Sequence, residues 1–420
     1  MAILYYNSDN RLHFERIDLT AFSNKVKTPY YIYSTAEISN NCDKIYSVSS
    51  NTDFMPCYAL KANYNPYLIK LICNKGFGAD VVSGGELYFA QKCGIPSNKI
   101  VFAGVGKTEV EIEQAIIAGI HSLNVESESE LKKICEVAQR LGKKVRIAIR
   151  VNPDIDPQTH PYISTGLHSN KFGVPKEFAV RLFKLAKEHQ NIEPEGIHVH
   201  IGSQIQTDEP YIQTAHFLKA LYFELKTAGI EIKYLDLGGG IGINYENQLD
   251  QQNESRVYIE NILPKFLKPL KELNLKILIE LGRSIVGSAG LLITKVIYIK
   301  NSPSKKFIIV DAAMNNLIRP SLYQAFHQIL PLVKNNKISE KVDVVGPVCE
   351  TSDFFAKDRE LPELKEGDYL AISGAGAYGQ VLCSNYNLRP TIAEYLVDGE
   401  NVSTIYKGES IESIAAKYSW

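Results

Sequence analysis

Residues 54–61 read Phe-Met-Pro-Cys-Tyr-Ala-Leu-Lys, an apolar run that ends on a lysine. A short apolar run followed by a helical stretch predicts a strand and then a helix. The pattern recurs outward from this stretch, at GADVV (78–82), IVFA (100–103), HSLNV (121–125), VRIAIRV (145–151), GIHVHI (196–201), YLDL (234–237) and KILIE (276–280). Between the runs lie helix signals. Ser127-Glu128-Ser129-Glu130 reads as a capping box opening a helix, and Gly94, Gly119 and Gly142 stand where helices should stop. Eight strand–helix units predict a (β/α)₈ barrel over residues 36–283. A doubly wound open sheet is the alternative. The number of units and the placement of the polar residues favour the barrel.

After Arg283 the texture changes. GLLITKVIYIK (290–300), KKFIIVDAA (305–313), KVDVVGP (341–347), GDYLAIS (367–373) and PTIAEYLVDGENVSTIYK (390–407) are β-rich with turns. They predict a separate all-β domain over 284–420, sandwich-like or barrel-like. The apolar start Ala2-Ile3-Leu4-Tyr5-Tyr6 is expected to add a strand to it, so that 1–35 joins the β domain. The fold class is α/β plus all-β.

Composition narrows the function. With 46 basic and 47 acidic residues the net charge is −1, so no global field draws nucleic acid or anionic lipid. Seven scattered cysteines without a CxxC pair read as reduced thiols rather than a disulfide framework. The start MAILYYNSDNRLHFERID lacks the features of a signal peptide, and no apolar run reaches membrane-span length. A cytoplasmic globular protein is expected.

In such a barrel, chemistry sits at the C-terminal strand ends. Lys61 follows the first run, Asp80 lies in the second, Arg150 late in the fifth and His200 late in the sixth. Gly238-Gly239-Gly240 follows the seventh, and Glu280, Gly282 and Arg283 close the eighth. Period-two alternation puts Cys57, Ala59 and Lys61 on one face, as it does Leu278 and Glu280. Each polar residue alone reads more readily as a structural ion pair or a solvated strand end. The joint pattern is hard to obtain by chance, because ionisable groups are rare at buried strand positions. The loops after strands seven and eight commonly build a phosphate site, and a glycine triplet offers bare backbone N–H groups. A phosphate with a strand-end lysine and carboxylate fits pyridoxal phosphate. Lys61 would form the Schiff base, Glu280 would keep the pyridine nitrogen protonated, and His200 would lie against the ring face. A Schiff-base aldolase is the competing barrel chemistry; it needs neither the phosphate loop nor a pyridinium partner. His198 and His200 share a strand face, yet a zinc site needs further converging ligands. No companion motif is evident, so no metal is expected, and His198 reads as an inward structural histidine one layer below.

The motifs have a family likeness. Tyr58-Ala59-Leu60-Lys61-Ala62-Asn63 resembles the cofactor-lysine motif of the fold-type III decarboxylases, which include diaminopimelate, ornithine and arginine decarboxylases. His200-Ile201-Gly202-Ser203-Gln204 is similar to their ring-stacking histidine motif, Leu237-Gly238-Gly239-Gly240-Ile241-Gly242 to their phosphate loop, and Glu280-Leu281-Gly282-Arg283-Ser284 to their Glu-Pro-Gly-Arg motif. Arg319-Pro320-Ser321-Leu322-Tyr323, Gly346-Pro347-Val348-Cys349-Glu350 and Gly376-Ala377-Tyr378-Gly379 match in the β domain, and Asn170-Lys171-Phe172-Gly173 ends a family-like loop from His160. The likeness covers nearly the whole chain in the family's order.

The resemblance implies that Lys61 carries the cofactor, that Asp80 and Arg150 support it and that His200 stacks on it. Ser203, Gly239, Gly240, Leu281, Gly282, Arg283 and Tyr378 would surround phosphate and substrate. Arg283, Arg319, Tyr323, Glu350 and Tyr378 would bind substrate, and Cys349 would protonate the carbanion left by CO₂. It also implies a homodimer in which Cys349 and Glu350 reach the partner's site. Leu281 departs from the family's usual proline, which loosens the backbone constraint at the end of strand eight. Arg319 and Tyr323 suit a distal carboxylate and Glu350 a distal ammonium, which favours meso-diaminopimelate giving L-lysine. Ornithine, arginine or carboxynorspermidine decarboxylation, an amino-acid racemase and a non-catalytic paralogue are the alternatives. The racemase lacks support because Cys349-Glu350 is present, and the paralogue because Lys61, Glu280 and Cys349 are.

Overall fold

The computed structural model describes residues 3–49, 52–156, 171–249, 258–335 and 338–419. Most of the His160–Gly173 loop therefore lies outside the described residues. The chain divides into two units, Asn41–Gly242 with Val257–Ile285, and Met1–Asn40 with Ile243–Arg256 and Val286–Trp420.

The first unit is a closed barrel of eight parallel strands. They are β1 (Phe54–Ala59), β2 (Gly78–Val81), β3 (Ile100–Phe102), β4 (Ser122–Val125), β5 (Val145–Asn152), β6 (Ile192–His198), β7 (Tyr234–Asp236) and β8 (Lys276–Leu281). Each pairs with its neighbour in chain order, and β8 closes on β1 with Glu280 opposite Cys57. Helices between the strands form as their patterns dictate. Glu128–Leu141 buries Leu131, Ile134, Cys135, Val137 and Ala138 and stops at Gly142 in the left-handed region, one apolar stripe at helical spacing. Its N-terminus is only half a capping box. Ser127 accepts from the Glu130 N–H, but the Glu130 carboxylate takes the Lys107 ammonium and the Glu126 N–H instead. A buried lysine needs a counter-charge more than the cap does.

Alternation stacks the barrel interior in layers. Met55, Cys57, Val101, Ala148, Tyr234 and Leu278 form an apolar layer. Two residues further along the same strands come Arg150, Asp236 and Glu280, all buried. Strand β6 ends at His198, so His200 lies beyond it rather than late within it.

The second unit is built on a nine-stranded sheet. Its path runs Phe354–Pro362, Ser339–Val345, Lys306–Val310, Gly290–Asn301, Tyr30–Ser34, Ala393–Asp398 and Asn401–Tyr406, with Tyr369–Ile372 and Ile329–Pro331 branching from Gly290–Asn301. The strand contributed from before the barrel is Tyr30–Ser34, not the opening residues. Leu4–Tyr6 pairs with Leu12–Phe14 in a small three-stranded sheet of its own. Leu4, Leu12 and Phe14 still enter one apolar core with Tyr30, Ile32, Leu291, Ile293 and Val397. The described residues 243–249, between β7 and β8, belong to this unit, where the Gln248 N–H donates to Gln328 Oε1 at 2.9 Å.

Candidate active site

Lys61 sits in a 3₁₀ turn (Leu60–Ala62) directly after β1. Its Nζ lies 2.6 Å from Asp80 Oδ2 at the end of β2. Asp80 is fully buried, and its other oxygen has no hydrogen-bond partner. Burial, then the Glu280 charge, raise Asp80 to about 6 despite the ammonium beside it. An amine held by a dry carboxylate at a barrel mouth is placed for covalent chemistry.

The loop after β7 is shaped by close approach. A side chain on Gly239 would stand 1.8 Å from the Glu280 carbonyl oxygen, and one on Gly240 would stand 2.1 Å from that of Gly202. Gly240 is also in the left-handed region at φ +95°. The Gly239 N–H donates to His200 Nδ1 at 3.1 Å. His200 must then carry its proton on Nε2 and be neutral, and burial with the nearby Arg150 and Lys61 charges lowers its pKa well below the ordinary value. Arg283, just past β8, donates to Ser203 Oγ at 2.9 Å. Guanidinium, hydroxyl and a tight glycine turn together form a donor set suited to a phosphate. Gly282 leaves no room for a Cβ, which would lie 2.8 Å from Ala62 Cβ. Leu281 is buried as the last residue of β8, in register with Tyr58.

Three neighbours of the predicted residues were not signalled by their motifs. Arg150 pairs with Glu126 at 3.0 Å and lies over the Phe172 ring. Asn124 donates from one amide nitrogen to Asp236 Oδ2 and to Glu280 Oε1, at 3.1 and 3.2 Å. His198 Nε2 lies 3.4 Å from Glu280 Oε2. His198 therefore has companions after all. Its donor atoms and those of Asp236 and Glu280 lie within 4.8 Å of one another. Period-two alternation along β4 and β7 was the available signal for Asn124 and Asp236.

Five predicted residues belong to the sheet unit. Arg319 opens the short helix Arg319–Tyr323 and is buried. It lies over the Tyr245 ring, 4.6 Å to the centroid, and donates to His327 Nε2 at 2.9 Å. The His327 Nδ1–H in turn donates to the Ser373 carbonyl at 2.8 Å. Neither Tyr245 nor His327 was read from the sequence. Tyr323 and Tyr378 are half-buried, and Tyr378 holds φ +55°, a conformation of the kind concentrated at binding sites. Of the seven cysteines only Cys349 is exposed. Its N–H donates to Asn387 Oδ1, and Glu350 accepts from the Tyr386 hydroxyl at 3.3 Å.

The barrel's residues fit pyridoxal phosphate: a lysine amine, a neutral histidine, a buried carboxylate and a phosphate-suited donor set converge at one end of one barrel.

Comparison with known proteins points the same way. The family described as "Pyridoxal-dependent decarboxylase, pyridoxal binding domain" matches residues 35–287. The diaminopimelate decarboxylase of Aquifex aeolicus is 47% identical over 406 residues, 97% of this chain and 95% of that protein. A crystal structure of diaminopimelate decarboxylase from Helicobacter pylori complexed with L-lysine matches at a TM-score of 0.89 and 43% identity, covering 95% of this chain and 98% of that one. The diaminopimelate decarboxylase of M. jannaschii in co-complex with L-lysine matches at a TM-score of 0.92 and 37% identity, covering 99% and 97%.

Proposed function

The chain belongs to the pyridoxal-dependent decarboxylases, among the diaminopimelate decarboxylases, and from that premise we propose that it removes CO₂ from meso-2,6-diaminopimelate to leave L-lysine. The observation that carries the reading is Lys61 and Glu280 at the ends of adjoining strands. Pyridoxal phosphate, when bound, supplies the electron sink for the pair freed as the Cα–carboxylate bond breaks.

The chain's own residues would divide the remaining work. Lys61 Nζ would hold the cofactor, with Asp80 beside it to take up the ammonium's proton. Glu280 would fix a proton at the ring nitrogen. Neutral His200 would cover the ring face without adding a competing charge, and Arg150 would flank it. Ser203, Gly239, Gly240, Gly282, Arg283 and Tyr378 would hold the phosphate. Arg319, kept in place by His327 and Tyr245, would bind the distal carboxylate, with Tyr323 beside it and Glu350 on the distal ammonium. Fixing the distal end sets the scissile bond perpendicular to the ring. Cys349 Sγ would then deliver a proton to Cα.

CO₂ release is expected to be fastest from meso-diaminopimelate among that substrate, ornithine, arginine and lysine; faster release from ornithine would overturn the assignment. Arg319→Leu should raise KM for meso-diaminopimelate about 30-fold, the cost of losing one partner of a charged contact, while leaving slow ornithine turnover nearly unchanged.

We also propose a homodimer in which Cys349 and Glu350 complete the partner's site. Both are exposed, as are the apolar Leu322, Phe326 and Leu388 on the same unit, which supports a buried interface there. Mixing inactive Lys61→Ala and Cys349→Ala chains should restore about a quarter of wild-type activity, since half the dimers are mixed and each carries one intact site. No restoration would mean the sites are not shared. Seven unpaired cysteines support a reducing, cytoplasmic setting. Among the described residues no helix is long and apolar enough to cross a membrane.

A further inference from the structure

If Glu280 is the partner of the cofactor's ring nitrogen, as proposed above, the buried His198 beside it has a role. The charged groups facing the barrel's polar layer can be assigned strand by strand. Lys61 after β1 pairs with Asp80 of β2. Arg150 of β5 pairs with Glu126. Cys57 of β1 is kept as a neutral thiol by burial, and His200 is neutral. Among the described residues that leaves two carboxylates, Asp236 of β7 and Glu280 of β8, and one ionisable base, His198 of β6.

All three are buried. Asn124 bridges the two carboxylates from a single amide nitrogen, one hydrogen to each. Asp236 Oδ1 accepts the Gly238 N–H at 3.1 Å, and the Glu280 N–H donates to the Gly238 carbonyl at 2.7 Å. The glycine turn and the carboxylate are thus tied together. Two carboxylates this close in a dry interior do not both ionise without a cation between them. His198 supplies one, 3.4 Å from Glu280 Oε2. At that separation the contact acts by charge more than as a tight hydrogen bond.

We propose that His198 is a positioning residue for Glu280, a buried imidazolium that keeps the Glu280 carboxylate ionised and aimed at the cofactor's ring nitrogen while Asp236 keeps its proton. The local electrostatics agree. Burial works against the imidazolium, but the Glu280 carboxylate, foremost among its partners, outweighs it and raises His198 above its ordinary value. Burial and then the Glu280 charge push Asp236 up to about 8. Burial would also raise Glu280, yet His198 first and Lys61 second pull it below the usual carboxylate range.

The test compares His198→Gln, Glu280→Gln and the double variant as holoenzymes. The readouts are the absorption spectrum of the bound cofactor against pH, kcat and KM. His198→Gln should move the spectral transition in the same direction as Glu280→Gln. It should lower kcat about tenfold and change KM less than about twofold. The double variant should be no worse than Glu280→Gln alone, because the two residues act through one carboxylate. A spectral shift in Glu280→Gln but none in His198→Gln, or fully additive losses, would overturn the role of His198. No shift in Glu280→Gln would overturn the reading of Glu280 itself. Should His198→Gln fail to fold, ¹⁵N spectra of histidine-labelled wild-type holoenzyme decide the matter. An imidazolium persisting from about pH 6 to 8 supports the proposal, and a neutral ring there refutes it.

Discussion

Replacing Lys61 by alanine is expected to lower kcat by at least about 10⁴-fold and to abolish covalent retention of the cofactor. Borohydride reduction followed by mass measurement checks this directly. The wild-type chain should gain one cofactor adduct and the variant none; an adduct retained by the variant would place the anchor elsewhere. The substitution also leaves Asp80 fully buried without its cation. Lys61 is about one-third exposed, so solvent screens the pair and the stability cost is modest, about 1–2 kcal/mol. It should depend on pH in a definite direction. Asp80 already stands at about 6 with the ammonium in place, above its unfolded value of about 3.9, and losing the ammonium raises it further. A carboxyl raised in the folded state stabilises the fold below its unfolded pKa. That contribution is lost as pH rises through the folded one. Relative to wild type, the Tm of the cofactor-free variant should therefore fall as pH rises from about 5 to about 8. A difference that shrinks over that range would contradict the burial argument.

The second large effect is expected at Cys349. Alanine there should lower kcat about 10²- to 10³-fold, the range of a lost general acid, with cofactor content unchanged. The thiol is exposed in the sheet unit, so its removal opens no core cavity, and stability should change by less than about 0.5 kcal/mol. Turnover in D₂O gives a second readout. A residue that delivers the proton to one face should leave deuterium in one configuration at the carbon that lost CO₂, the Cε of the product lysine, and the variant should scramble it. Loss of cofactor on substitution, or an unchanged kcat, would show that Cys349 is structural.

These two residues were identified in different ways. Lys61 follows from its position at the end of an apolar run, strengthened by the ionisable groups Asp80, Arg150, His200 and Glu280 that four of the seven further runs carry at or near the same end. Cys349 and Arg319 follow from motif likeness alone. Nothing near Arg319 in sequence shows that Tyr245 and His327 surround it. His198 was read as an inward structural histidine, and it does face inward, buried beside Glu280.

The sequence by itself determined what depends on neighbours along the chain. Apolar periodicity set the eight strands and the helices between them, and strand-end position set the polar residues of the mouth. Alternation gave the face of each strand. The motifs, read in order, named the cofactor and the chemistry. The tertiary structure decided what depends on barrel closure and register. Asn124 and Glu280 are 156 residues apart and share a hydrogen bond. The layer at which a side chain meets its neighbours across the barrel is set by the stagger of the strands, which alternation does not encode. The same holds for the opening residues, whose apolar pattern fits any sheet edge. The structure gave them a small sheet of their own and sent Tyr30–Ser34 into the large one. What the fold added at Lys61's end of the barrel is a buried polar cluster of His198, Asn124 and Asp236 around Glu280, assembled from four strands.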